Sequence, residues 1–428
     1  MPTTRSAPEL SGWRLNVAAS SLAFATYFCM YAFRKPFTAG TYAGEPWLGL
    51  DLKTTFVISQ VMGYACSKYL GIKWVSEVTR QRRLVMIVGL IAAAELALVG
   101  FAVLPGNAKT LAIFLNGLPL GMIWGLVVRY LEGRRSSEIL LSALSCSFIL
   151  ASGVVKDVGR WLLRSGVSEY WMPALAGALF FLPLLVAARW LDQMPDPDVA
   201  DEAERETRKP MGTNDRRAFV RRFLPGMLLL LVTYLGLTAF RDFRDNYGVE
   251  LFEELGYSRQ TTLFSRTELP IAVLVLAIMS SLSTFRDRMR GLVAVFVVMT
   301  LGLMLVGAST FALDRGWLDG QSWMVCIGLG AYLSYVPFSS FLFDRLMAAT
   351  RVAGTAVFAV NVADAVGYTG SVGMQLYKDL VAEATTRLVF FRTFSYVLSL
   401  LGSALLVLAA AYFWKQSPRA GTPAISAV

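Results

Sequence analysis

Apolar residues recur along this chain in long runs, from Leu15 to Phe33, Leu84 to Leu104, Leu175 to Ala188, Phe223 to Phe240, Leu292 to Leu313 and Val397 to Phe413, separated by short polar stretches. A bilayer core is crossed by roughly 20 helical residues, and because the runs continue to the C-terminal region the pattern predicts a bundle of spans rather than a single anchor. Helices are expected at about 14–36, 52–74, 82–104, 109–131, 137–161, 169–191, 219–246, 259–284, 289–313, 320–347, 352–376 and 388–414. The polar interval Asp192 to Arg217, with PDPD, mixed charges and KPMGTND, cannot bury a core and predicts a linker. The expected fold is therefore an all-α membrane protein of twelve transmembrane helices. Its layout is a six-helix bundle at 1–191, a linker at 192–218, a second six-helix bundle at 219–414 and a tail at 415–428.

Composition strengthens this picture. Charged residues make up 16% of the chain, against about a quarter in soluble domains. Lys and Arg exceed Asp and Glu by 40 to 30, yet the cations sit in short loops and no basic stretch is interleaved with aromatics as a nucleic-acid groove would require. Arg14, Arg80, Arg82, Arg83, Arg129, Arg134, Arg135, the linker cations, Arg288, Arg290, Arg345 and Lys415 fall on one side, so the positive-inside rule predicts cytoplasmic termini and linker. A retained first helix, not a signal peptide, is expected, since the first run ends in Arg34-Lys35 without a cleavage site. The cysteines, Cys29, Cys66, Cys146 and Cys326, form no metal-binding or disulfide pattern, and there is no histidine. No metal or cofactor is expected.

The halves repeat at an offset of 207 residues: Ala32-Phe33-Arg34 aligns with Ala239-Phe240-Arg241, Thr54-Thr55 with Thr261-Thr262, and Arg83 with Arg290. Parallel repeats of this kind place a substrate near mid-membrane, between halves that rock about it. Ionisable residues inside spans are costly, which makes each one a functional candidate. Arg34 by itself is also read as a snorkelling interfacial residue, but its repetition as Arg241 favours a shared site. Guanidinium forks suit tetrahedral oxyanions, so the pair predicts a small anionic substrate, a phosphorylated one above all. Two facing arginines without that anion are expected to repel and to resist tight closure.

Other candidates are weaker. Lys68 is placed either in the cavity or at the interface. Tyr27, Tyr31 and Tyr64 carry polar tips able to bond a substrate, although packing is the commoner role of membrane tyrosines. Glu268 and Asp364, the latter near Asn361, are read as a proton site or an ion pair with Arg241. Asp242, Arg244 and Asp245 are read as a solvated or mutually paired helix end. Glu95 and Lys156-Asp157 have no assigned role.

Several stretches resemble the organophosphate:phosphate antiporters of the major facilitator superfamily, which include the glycerol-3-phosphate and hexose-6-phosphate transporters. YFCMYAFRKPF from Tyr27 is similar to that family's first helix and GYACSKYLG from Gly63 to its second. NGLPLGMIWG from Asn116, FRDFRDNYG from Phe240, YVP at Tyr335 and AGTA from Ala353 resemble the fourth, seventh, tenth and eleventh. The resemblance implies that Arg34 and Arg241 grip phosphate from opposite halves, with Lys68, Tyr27, Tyr31, Tyr64 and Tyr335 in support. It further implies exchange of an organic phosphate for inorganic phosphate by a monomer of the cytoplasmic membrane. The chain departs from the pattern in lacking the fifth-helix histidine, in Thr238 at a tyrosine position, in Ser265 near a glutamate position and in Glu77 at an aspartate position. These departures leave the expected phosphate grip intact but alter what surrounds the organic moiety and any proton coupling.

Two other readings stay open. One is a proton-coupled carrier of a carboxylate, sugar or drug. The other is a non-transporting membrane sensor of a phosphorylated metabolite. No nucleophile and base constellation points to an enzyme.

Overall fold

A computed structural model describes residues 12–44, 49–131, 137–195, 213–257, 262–285, 287–350 and 356–416. The helices are α1 (Gly12–Met30), α2 (Leu52–Glu77), α3 (Arg80–Val103), α4 (Ala108–Val128), α5 (Ser137–Arg164), α6 (Met172–Asp192), α7 (Thr213–Asn246), α8 (Gly248–Glu254), α9 (Leu263–Leu282), α10 (Arg288–Asp314), α11 (Gly320–Ser340), α12 (Leu342–Thr350), α13 (Ala356–Leu380), α14 (Arg387–Val397) and α15 (Ser403–Gln416). Most of the linker, Thr261, Ala353 of the AGTA stretch, the side chain of Asn361 and the loop cations Arg134, Arg135, Arg286 and Arg351 lie outside the described residues.

Among the described residues nine helices are long and apolar enough to cross a bilayer, and α11 with α12, bent by 56°, makes ten. The remaining two expected spans, α2 and α13, are long and carry several polar and charged residues along their course. The reason is their position: α2 and α13 pack against each other across the two halves, so their Gln60, Ser67, Ser371 and Gln375 are buried in protein rather than set against lipid. Within the first half α4 packs on α2 and α3, and α6 on α1 and α3; within the second, α11 packs on α9 and α10, and α13 on α7. The halves meet through α5 with α9 and through α2 with α13.

Close approach of α2 to α4 depends on two glycines. A methyl on Gly63 or Gly117 would overlap a backbone carbonyl of the facing helix, Phe114 O and Gln60 O respectively. The backbones therefore cross where a larger residue has no room.

Three predicted helices turn out to be interrupted. The first becomes a 3-10 turn at Tyr31–Phe33 and again at Pro36–Ala39. Pro36 lacks the N–H a continuing helix would need and disfavours helical backbone at Lys35. The tenth is bent after Pro337, with Phe341 at φ −148° and ψ −6°. The twelfth passes through a π turn at Leu398–Gly402. By contrast α7 runs unbroken to Asn246, since the position after Arg241-Asp242 is Phe243 and not proline.

Candidate functional site

The break in α1 leaves carbonyls without helical partners, and in a membrane each must be satisfied by protein. Gln60 Nε2 of α2 donates to Arg34 O at 2.9 Å, and Asn116 Nδ2 of α4 donates to Phe33 O at 3.0 Å. Gln60 also donates to Asn116 Oδ1 at 2.8 Å. The two amides thus hold the turn that carries Arg34 from beneath. Neither was singled out in the sequence, where a buried amide has no periodic signature.

Arg34 and Arg241 line one small cavity between the halves, together with Tyr31, Lys35, Phe148, Asp242, Asp245 and Tyr332. Arg34 is only 5% exposed, so it is a buried residue and not an interfacial snorkel. Its guanidinium carbon lies 3.8 Å from the centroid of the Tyr64 ring and that of Arg241 lies 4.1 Å from the centroid of Tyr335. Each half therefore offers one arginine seated on one tyrosine face, an arrangement that suits the guanidinium plane.

Of the other expected residues, Tyr31 lines the cavity, and Tyr27 packs edge-on against Tyr31 and Trp124. Lys68 does not reach the cavity lining. It pairs with Asp364 across the halves at 3.3 Å, and Asp364 also accepts from the Tyr234 hydroxyl at 2.7 Å.

Three expectations are corrected. Glu268 pairs with Arg244 at 2.7 Å and Asp364 with Lys68, so neither is the partner of Arg241. That partner is the adjacent Asp242, whose Oδ1 lies 2.7 Å from Arg241 Nη2 and whose Oδ2 accepts from Ser371 at 2.8 Å. Nor do Asp242, Arg244 and Asp245 form a solvated helix end. All three are buried or nearly so, because α7 continues into α8 within the bundle and they face different neighbours.

Asp245 joins the halves. It pairs with Lys35 at 2.5 Å and with Lys156, and Lys156 also donates to its backbone carbonyl at 2.7 Å. Ser152 donates to the same carboxylate. Further links lie on the face opposite the termini: Lys53 with Glu250 at 2.5 Å, Thr54 with Tyr247 at 2.7 Å, and Asp51 with Arg387. Asp157 of α5 caps α9, accepting from Phe264 N at 3.3 Å and Ser265 N at 2.8 Å, where the first N–H groups of a helix lack internal partners. This face is sealed by contacts between the halves.

The pairing leaves charge over. Around the site Arg241 is matched by Asp242, Arg244 by Glu268 and Lys68 by Asp364, while Lys35 and Lys156 share Asp245. Among the described residues Arg34 has no ion-pair partner, and its buried Nε has no hydrogen bond. Six cations thus face four carboxylates, an excess of two positive charges. Lys35 stands beside Arg34 in the sequence, and Lys156, Asp242 and Asp245 stand out there as charged positions but not as partners.

No curated protein matches this chain. Among solved structures it is similar to a D-xylose–proton symporter, at 16% identity over 95% of this chain and 98% of that one, with a TM-score of 0.57. It is similar also to the proton:xylose symporter XylE bound to 6-bromo-6-deoxy-D-glucose, at 15% identity, 95% and 97% coverage and a TM-score of 0.57. A third is the major facilitator superfamily transporter FucP in the outward conformation, at 12% identity, 93% and 98% coverage and a TM-score of 0.59. At such identities the likeness shows the fold, that of the major facilitator superfamily. A family model matches residues 36–416, and the chain belongs to that family, a family of unknown function designated DUF5690.

Proposed function

We propose that the protein is an alternating-access secondary transporter of a small anion, exchanging an organic phosphate for inorganic phosphate between Arg34 and Arg241. The observation that carries this reading is the excess of two positive charges around one cavity shared by both halves. A phosphate dianion would neutralise it. Arg34, which has a π face on one side and no carboxylate, is the group with hydrogen bonds to offer. Release then follows when the halves separate the two guanidiniums, with no covalent step. The cavity is small, so the ligand enters while one face is open and the site contracts around it. The membrane is taken to be the cytoplasmic one, with both termini inside.

The test is counterflow. Purified protein in liposomes loaded with inorganic phosphate is expected to take up labelled phosphate without a pH gradient, and phosphate esters that compete identify the organic moiety. No uptake overturns the reading.

A second reading, proton-coupled transport of a neutral sugar, is favoured by Glu268 and Asp364 near the site and by a fold shared with a D-xylose–proton symporter. It predicts sugar uptake driven by a proton gradient and no phosphate counterflow.

A further inference from the structure

Glu95 lies well inside the apolar span α3, fifteen residues and about 22 Å along the axis from Arg80. Its Oε2 is buried and has no hydrogen-bond partner. The elements packed against α3 are α4, α6 and the Tyr31–Phe33 turn. Their charged and titratable groups are Lys109 near the start of α4, Arg189 and Asp192 at the end of α6, and Tyr31 with the neighbouring Arg34 at the turn. None of them hydrogen-bonds to Oε2. On its own helix the other charges are Arg80, Arg82 and Arg83, three turns or more away. The oxygen sits instead in a cradle: a methyl on Gly177 of α6 would overlap it and would come within 3.0 Å of the Phe33 ring.

An ionised carboxylate in such surroundings has lost its hydration and gained no counter-ion, a cost of several kcal/mol that a bound proton removes. The position is also wired to the anion site. Asn116 Nδ2 donates to Ala94 O, the residue before Glu95, at 3.0 Å and to Phe33 O, the residue before Arg34, at 3.0 Å. Phe33 itself fills the same cradle at Gly177.

We propose that Glu95 is a proton-binding site linked through Asn116 and Phe33 to the grip of Arg34 on the anion, an inference that rests on the anion-transport reading above for its ligand. Protonated, Glu95 stays in the Gly177 cradle and the Arg34 turn keeps its place. Deprotonated, the carboxylate no longer settles in the apolar cradle, Phe33 loses its packing partner and the turn loosens. Anion binding and proton binding therefore favour each other, and a proton accompanies the anion.

Glu95→Gln, which keeps the shape and stays neutral, is the variant to compare with the wild type. Infrared spectra of the unliganded proteins at neutral pH should show a protonated-carboxyl band that the variant lacks; no lost band overturns the proton site. Affinity for inorganic phosphate should agree within about twofold at acid pH and then fall in the wild type alone, by up to tenfold per pH unit beyond the titration of Glu95. Using the ratio of the two proteins cancels titration of the phosphate and of the lysines. Parallel pH profiles overturn the linkage. Absence of phosphate binding in both proteins overturns the substrate reading instead, and the infrared band then decides alone whether Glu95 holds a proton.

Discussion

The guanidinium of Arg34 rests on the ring of Tyr64, 3.8 Å from its centroid, and Tyr64 in turn meets Tyr368 of the other half edge-on at 5.2 Å. The unpaired cation is thus tied by aromatic contact to the surface along which the halves meet. Replacing Tyr64 with Leu removes the π face, an interaction of about 0.5–2 kcal/mol. Phosphate affinity is expected to drop correspondingly, whereas Tyr64→Phe keeps the ring and should stay near wild type. Equilibrium binding in detergent distinguishes the two.

Arg34→Lys and Arg241→Lys retain the charge and lose the fork. With charge-assisted hydrogen bonds contributing about 1.5–3 kcal/mol each, either change should lower phosphate affinity by roughly tenfold to a hundredfold. Counterflow at saturating protein insertion is the measurement; near-normal exchange in both would remove the proposed grip.

Asp242→Asn strips Arg241 of its carboxylate and raises the charge excess from two to three. Leaving a buried cation unpaired typically costs about 3–5 kcal/mol, so the empty variant should melt well below the wild type. Bound phosphate supplies the missing charge. Its stabilising shift in melting temperature is therefore expected to be larger in the variant, with tighter binding and slower exchange.

Lys53→Met together with Glu250→Gln breaks a 2.5 Å contact between the halves without leaving either charge behind. The sealed face should open more often. A cysteine placed at Tyr332, which lines the cavity, is expected to react faster with an impermeant thiol reagent added from that face than in the parent protein.

Gly117→Ala inserts a methyl where Gln60 O already stands. Overpacking of this kind costs typically 1–3 kcal/mol, and here it also pushes on the residue that holds Arg34. Lowered thermal stability and weaker phosphate binding should appear together.

The spans of the bundle were legible because burial in lipid imposes long apolar runs, and Arg34 with Arg241 stood out because the same triplet recurs at the same place in each half. Pro36 marked the place where one of those helices breaks. What the chain did not disclose was pairing. Asp242 and Asp245 are ordinary acids near a helix end until α5 and the α1 turn bring Lys156 and Lys35 to one of them. Gln60 and Asn116 lie within otherwise apolar stretches, and only the freed carbonyls of the broken turn give them a purpose. α2 and α13 carry polar residues for a related reason: Gln60 serves the α1 turn, Ser371 secures Asp242 and Lys68 meets Asp364, so they answer to protein and not to lipid.

The supports of the two arginines are drawn from separate lobes. Arg34 is braced by Gln60 and Asn116 of its own lobe, and Arg241 by Asp242, which Ser371 of the same lobe secures. Each arginine is therefore braced within its own lobe. In the proposed transport cycle the gap between them behaves as a caliper, set by the tilt of one lobe on the other.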